Sequence, residues 1–127
     1  MIWNPNKECM SREEMRALQG KRLQKLVNYV YHNVPFYRNK MQAMDISPEE
    51  IRSIDDIVKL PFTTKQDLRD NYPFGLAAVP MSQIVRIHAS SGTTGKPVVV
   101  LYTRKDLAMW AEAISRAFTA YGAGKDD

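Results

Sequence analysis

Apolar residues in the first third of the chain recur at three- and four-residue spacing. Met15, Leu18, Leu23, Leu26, Val27, Val30 and Tyr31 fall on one stripe of a long amphipathic helix. Ser11, followed three residues later by Glu14, predicts a capping box at its start. Pro35 predicts its end, because the residue before a proline avoids helical geometry. After Phe36-Tyr37-Arg38 a short helical stretch is expected near Asn39 to Met44. Ser47-Pro48-Glu49-Glu50 reads as a second start: a cap, a proline at the first helical position and a glutamate at the third. Ile54 and Ile57 then lie on that short helix's apolar side or in the turn after it. Thr63 with Gln66, or Thr64 with Asp67, caps another short helix reaching about Asn71, and Tyr72-Pro73-Phe74-Gly75 ends it in a loop.

The period then changes. Ile84 to Ala89 reads as a strand with Val85, Ile87 and Ala89 facing one way. The unbroken run Val98-Val99-Val100-Leu101-Tyr102 suits a strand buried on both faces. Only a Ser/Gly/Thr loop over residues 90–97 separates the two, which predicts a hairpin or a sharp corner. Thr103 caps a final helix with Asp106 as its third residue. Leu107, Trp110, Ala111, Ile114, Phe118 and Tyr121 form its expected buried stripe, and Gly122 is a natural stop. There is no internal repeat or low-complexity tract.

The fold class is α/β: a helical region over residues 1–83, then the first strands and a helix of an α/β domain over 84–127. Two strands do not make a stable sheet alone, and the apolar second strand calls for neighbours. The chain is therefore expected to stop within an α/β domain rather than to be a complete small α+β protein. The same argument predicts exposed apolar surface and self-association, which leaves a homo-oligomer open.

Composition narrows the partners. An apolar fraction of 44% in 127 residues allows a core, and a net charge of +4 favours an anionic small molecule. That excess is too mild and too dispersed for nucleic acid. Its tightest cluster, Lys21, Arg22 and Lys25, reads as a solvated helix face. Cys9 is the only cysteine, so no intrachain disulfide forms, and with His32 and His88 far apart no cysteine-based zinc site is expected. No segment has a membrane-spanning apolar length and the start lacks the pattern of a secretory signal, so no membrane partner and a cytoplasmic location are expected.

The chemistry is concentrated in Ser90-Ser91-Gly92-Thr93-Thr94-Gly95-Lys96-Pro97. Two glycines let the backbone turn sharply and approach a ligand, and the amides between them can converge on an anion. The hydroxyls of Ser90, Ser91, Thr93 and Thr94 can donate to phosphate oxygens, and Lys96 adds a positive charge. This is not a Walker A loop. Two residues rather than four separate the glycines, Pro97 follows the lysine, and a strand rather than a helix comes next. A plain Gly/Thr turn would explain the composition, but two strands need only two to five connecting residues, and the extra length with a lysine points to binding. His88, beside the loop, reads as a structural group ahead of a substrate contact. Trp110, Phe118 and Tyr121 read as core ahead of an aryl pocket.

Residues 90–97 resemble the signature loop of the adenylate-forming superfamily, which includes acyl-CoA synthetases, luciferases and peptide-synthetase adenylation domains. Arg86-Ile87-His88-Ala89-Ser90-Ser91, the run from Leu60-Pro61-Phe62-Thr63-Thr64-Lys65 to Gly75-Leu76, and Val34-Pro35-Phe36-Tyr37-Arg38 resemble the phenylacetate–CoA ligase branch. The resemblance covers nearly the whole chain. It implies an AMP-forming ligase joining an aryl acid such as phenylacetate to coenzyme A at the expense of ATP with Mg2+, by way of an acyl-adenylate. Under it Ser90, Ser91, Gly92, Thr93, Thr94, Gly95 and Lys96 hold the nucleotide's phosphates, within the ATP-binding subdomain that residues 84–127 would begin. It further implies that the adenine, metal, aryl and catalytic residues lie beyond this segment, so the isolated chain is expected to be inactive. An adenylate-former with a different acceptor and a non-catalytic nucleotide-binding or assembly module stay open as alternatives.

Overall fold

The computed structural model describes residues 1–90, 95 and 97–124. A single helical turn, α1 (Pro5–Glu8), precedes the long α2 (Arg12–Asn33). The Ser11 hydroxyl accepts from the Glu14 N–H at 3.2 Å, and the Glu14 carboxylate accepts from the Ser11 N–H at 2.9 Å. The Ser11 N–H first, and then the Ser11 hydroxyl, hold the Glu14 carboxyl below its ordinary pKa.

Val34 ends α2 and starts α3 (Pro35–Ala43). It is extended (φ −125°, ψ 102°), so its geometry suits the residue before a proline, while Pro35 takes the first helical position where no N–H is needed. The helix thus begins four residues earlier than the expected start at Asn39, because proline both stops one helix and opens the next.

Two 3₁₀ turns follow, Pro48–Glu50 and Ile54–Lys59. The expected single helix after Ser47 divides at Ile51, whose backbone is extended and whose side chain is buried. Ser53 then caps the second turn. Asp56 accepts from the N–H groups of Arg52 (2.9 Å) and Ser53 (2.8 Å) and pairs with Lys59 (2.7 Å). Lys59 first, and then those amides, push the Asp56 carboxyl well below the usual range.

The core is small and lies where α2, α3 and these turns meet. Val27, Met41 and Ile51 form its centre, with Leu23, Tyr31, Ile46 and Leu60 packed around it. Val34 is also buried. Of the α2 stripe, Leu23, Val27 and Tyr31 belong to this cluster, whereas Leu26 is 56% exposed. Lys21, Arg22 and Lys25 are on the exposed side.

Thr64 caps α4 (Lys65–Asp70) through a capping box with Asp67. Lys40 of α3 reaches the same carboxylate at 2.8 Å and the Phe62 carbonyl at 2.7 Å, tying α3 to α4. Lys40 and then the Thr64 N–H hold the Asp67 carboxyl down at about 2. After a turn region come β1 (Ile84–Ala89) and β2 (Val99–Thr103), paired antiparallel in a two-stranded hairpin, and then α5 (Arg104–Ala120).

Neither strand is covered as its sequence invites. Val85 (48%) and Ile87 (50%) are exposed on β1, and Val100 is exposed on β2, so the run 98–102 is not buried on both faces. The α5 stripe is likewise open, with Trp110 at 42% and Phe118 at 61% exposure. Its periodicity marks the face that seeks burial, and the described residues cover that face only in part.

Candidate functional site

The hairpin positions the candidate site. Its register pairs Ile87 with Leu101, His88 with Val100 and Ala89 with Val99. One step further, the Ser90 N–H donates to the Val98 carbonyl at 3.0 Å. In a regular ladder the Val98 N–H would donate back to the Ser90 carbonyl. Here it donates to the Ser90 side-chain hydroxyl oxygen at 3.3 Å. The two bonds form a neck where the ladder ends and the glycine-rich segment begins.

Two of the seven expected phosphate-binding residues lie within the described part. Ser90 is exposed at the neck. Gly95 has φ +132°, a conformation that side-chain-bearing residues rarely adopt, and no atom lies within 4 Å of where a Cβ would sit. Its glycine requirement is therefore one of backbone conformation rather than of space. Ser91, Gly92, Thr93, Thr94 and Lys96 lie outside the described residues.

Behind the neck stands an aromatic trio. His88 lies 4.9 Å from Tyr102 and 5.7 Å from Trp110 between ring centroids, and Tyr102 stacks on Trp110 at 5.5 Å with an interplanar angle of 16°. His88 is thus a packed strand residue one position from Ala89 and two from Ser90, consistent with a structural role. Sequence reading expected a structural group there without its partners. The trio escaped it because only the strand register and the seating of α5 bring positions 88, 102 and 110 together.

A second polar centre anchors α5 at its other side. Glu112 accepts from the Trp3 indole at 3.0 Å, the Asn4 side-chain amide at 2.7 Å and the Arg116 guanidinium at 2.7 Å. Arg116 first, then Trp3 and Asn4, hold its carboxyl at about 2. Among the described residues no group of three or more His, Cys, Asp or Glu side chains could hold a metal ion. Among the described residues no helix is long and apolar enough to cross a membrane.

The fold superposes on 2-hydroxyisobutyryl-CoA ligase in its postadenylation state in complex with R3-HIB-AMP with a TM-score of 0.86, at 30% identity, over 96% of this chain and 26% of that one. A structure of the same ligase with 2-HIB-AMP and CoA, in the thioesterification state, gives a TM-score of 0.83 at 33% identity, over 91% of this chain and 25% of that one. Over this stretch the chain is therefore similar, in fold and in sequence, to about a quarter of a CoA ligase.

By sequence the chain is a relative of the phenylacetate–coenzyme A ligases. It is 51% identical to the Thermus thermophilus enzyme over 97% of its length and 52% identical to the Escherichia coli enzyme over 94%. The Pseudomonas putida enzyme is 45% identical over 94%. The chain spans about 28% of the length of the first two and 27% of the third. No protein-family model matches it.

Proposed function

We propose that this chain is the phosphate-gripping segment of an AMP-forming ligase that converts phenylacetate, or a close aryl acid, to its coenzyme A thioester. The observation that carries the reading is about 50% identity to phenylacetate–CoA ligases across nearly all of the chain, together with the hairpin neck closed by Ser90 and Val98. In the first step the acid's carboxylate oxygen attacks the α-phosphorus of ATP, and the bond to pyrophosphate breaks. In the second the CoA thiolate attacks the acyl carbonyl, and AMP leaves with the electron pair of the broken C–O bond.

The first step moves negative charge onto the departing pyrophosphate. The amides of Gly92, Thr93, Thr94 and Gly95, the hydroxyls of Ser91, Thr93 and Thr94, and the Lys96 ammonium are the groups suited to receive it. Donors fixed in advance around a developing charge lower the barrier without reorganising at the moment of reaction. Magnesium, which this class of reaction uses with ATP, has no ligand cluster among the described residues, so it would arrive bound to the nucleotide and supply charge neutralisation there. Residues 84–127 would open the ATP-binding subdomain, with residues 1–83 as its helical flank. The aryl-binding and acyl-transferring groups are assigned to parts of the ligase outside this segment.

The test is product analysis with the complete protein. Incubation with ATP, phenylacetate and CoA should yield phenylacetyl-CoA, AMP and pyrophosphate in equal amounts. Formation of ADP, or consumption of ATP that does not depend on the acid, would refute the reading. The 127-residue chain alone is expected to form no thioester.

A further inference from the structure

Taking residues 91–96 as the phosphate loop, as proposed above, we propose that the Ser90 hydroxyl is a positioning group that closes the neck of that loop. The Ser90 backbone N–H bonds the Val98 carbonyl as any antiparallel ladder would, at 3.0 Å. The return bond from the Val98 N–H goes to the Ser90 hydroxyl oxygen at 3.3 Å. A side chain thus replaces a main-chain acceptor at the last rung. This keeps the two ends of the loop at ladder spacing, with a side chain in place of the Ser90 carbonyl at the last rung. The hydroxyl oxygen is engaged as an acceptor. The neck bond uses only the hydroxyl's acceptor side, so it is a role beyond the phosphate contacts assigned to Ser91, Thr93 and Thr94.

A loop whose ends are fixed has fewer arrangements to lose when ATP binds. Removing the clasp returns that cost to the binding step. The burden should fall on ATP and not on the acid or CoA. Alanine removes the acceptor, whereas threonine retains it.

The experiment compares the complete protein with its Ser90→Ala, Ser90→Thr and Lys96→Ala variants. Two readouts are taken: steady-state kinetics, and hydrogen–deuterium exchange of the Val98 amide without nucleotide. A hydrogen bond of ordinary net worth predicts that Ser90→Ala raises KM for ATP about threefold to tenfold. KM for phenylacetate and CoA, and kcat at saturating ATP, should stay near wild type. Val98 exchange should accelerate in Ser90→Ala, and Ser90→Thr should restore both properties. Unchanged Val98 exchange in Ser90→Ala would overturn the clasp, even if KM for ATP rose, because a phosphate ligand leaves the nucleotide-free neck untouched. A loss of ATP-dependent activity in Lys96→Ala with wild-type behaviour in Ser90→Ala would overturn the clasp alone. Wild-type behaviour in both would overturn the phosphate-loop reading beneath it.

Discussion

Trp3 and Glu112 lie 109 positions apart in sequence, yet the indole N–H of Trp3 donates a 3.0 Å hydrogen bond to the Glu112 carboxylate. Asn4 and Arg116 complete the shell of donors, so the ionised carboxylate ties the start of the chain to α5.

This tie has a defined pH dependence. The Glu112 carboxyl sits at about 2 in the folded chain against an ordinary 4.5. A depressed pKa contributes stability that is present above the unfolded value and is lost as pH falls through the folded one. The turn around Trp3 is therefore expected to detach between about pH 4.5 and 2. Trp3 fluorescence, read in a Trp110→Phe background, should shift to the red over that window. Glu112→Gln should abolish the acid step, since no charge remains to neutralise.

Gly20 is buried where α2 crosses the second 3₁₀ turn. A Cβ placed there would lie 3.2 Å from the Ile54 backbone nitrogen and 3.5 Å from the Ser53 Cα. Alanine gains helix propensity while pressing on that backbone, so Gly20→Ala should be close to neutral. Gly20→Val adds branched bulk against main chain and should cost about 1–3 kcal/mol. Urea denaturation of the two variants side by side checks the order.

Thr103 closes β2 and caps α5 at once. Its hydroxyl accepts from the Asp106 N–H at 3.2 Å and donates to the Asp106 carboxylate at 2.7 Å. Thr103→Ala should destabilise by about 1 kcal/mol, with Thr103→Ser recovering most of it. The unfolding midpoint followed by helical circular dichroism reads both.

Much of this architecture is legible in short stretches of sequence. The boxes Ser11–Glu14, Thr64–Asp67 and Thr103–Asp106 each join residues three apart, so local spacing reveals them. Ile84–Ala89 matches the expected strand to the residue, because its alternation is clear and a loop bounds it. What escapes is whatever depends on distant chain. The Glu112 centre needs residues 3, 4 and 112 brought together, and the split at Ile51 reflects that side chain turning into the core. At the candidate site the residue types announce phosphate chemistry. The neck itself emerges only with the hairpin, whose register ends at Ala89–Val99 and is followed by the Ser90–Val98 hydrogen bonds.

The open apolar faces carry a prediction of their own. Val85 and Ile87 on β1, and Ile114, Phe118 and Tyr121 on α5, are exposed in this chain. Faces of this kind drive association when left uncovered. The 127-residue chain should therefore sediment as concentration-dependent oligomers. The double variant Ile87→Lys, Phe118→Lys should shift it toward monomer, and a monodisperse wild-type monomer would contradict the expectation.

The most direct test of the phosphate-loop assignment is phenylacetate-dependent exchange of labelled pyrophosphate into ATP by the complete protein carrying Thr94→Ala or Lys96→Ala. Loss of one fixed donor to a developing charge predicts exchange slower by about a hundredfold or more, with phenylacetate affinity nearly unchanged. Exchange at the wild-type rate in both variants would contradict the account.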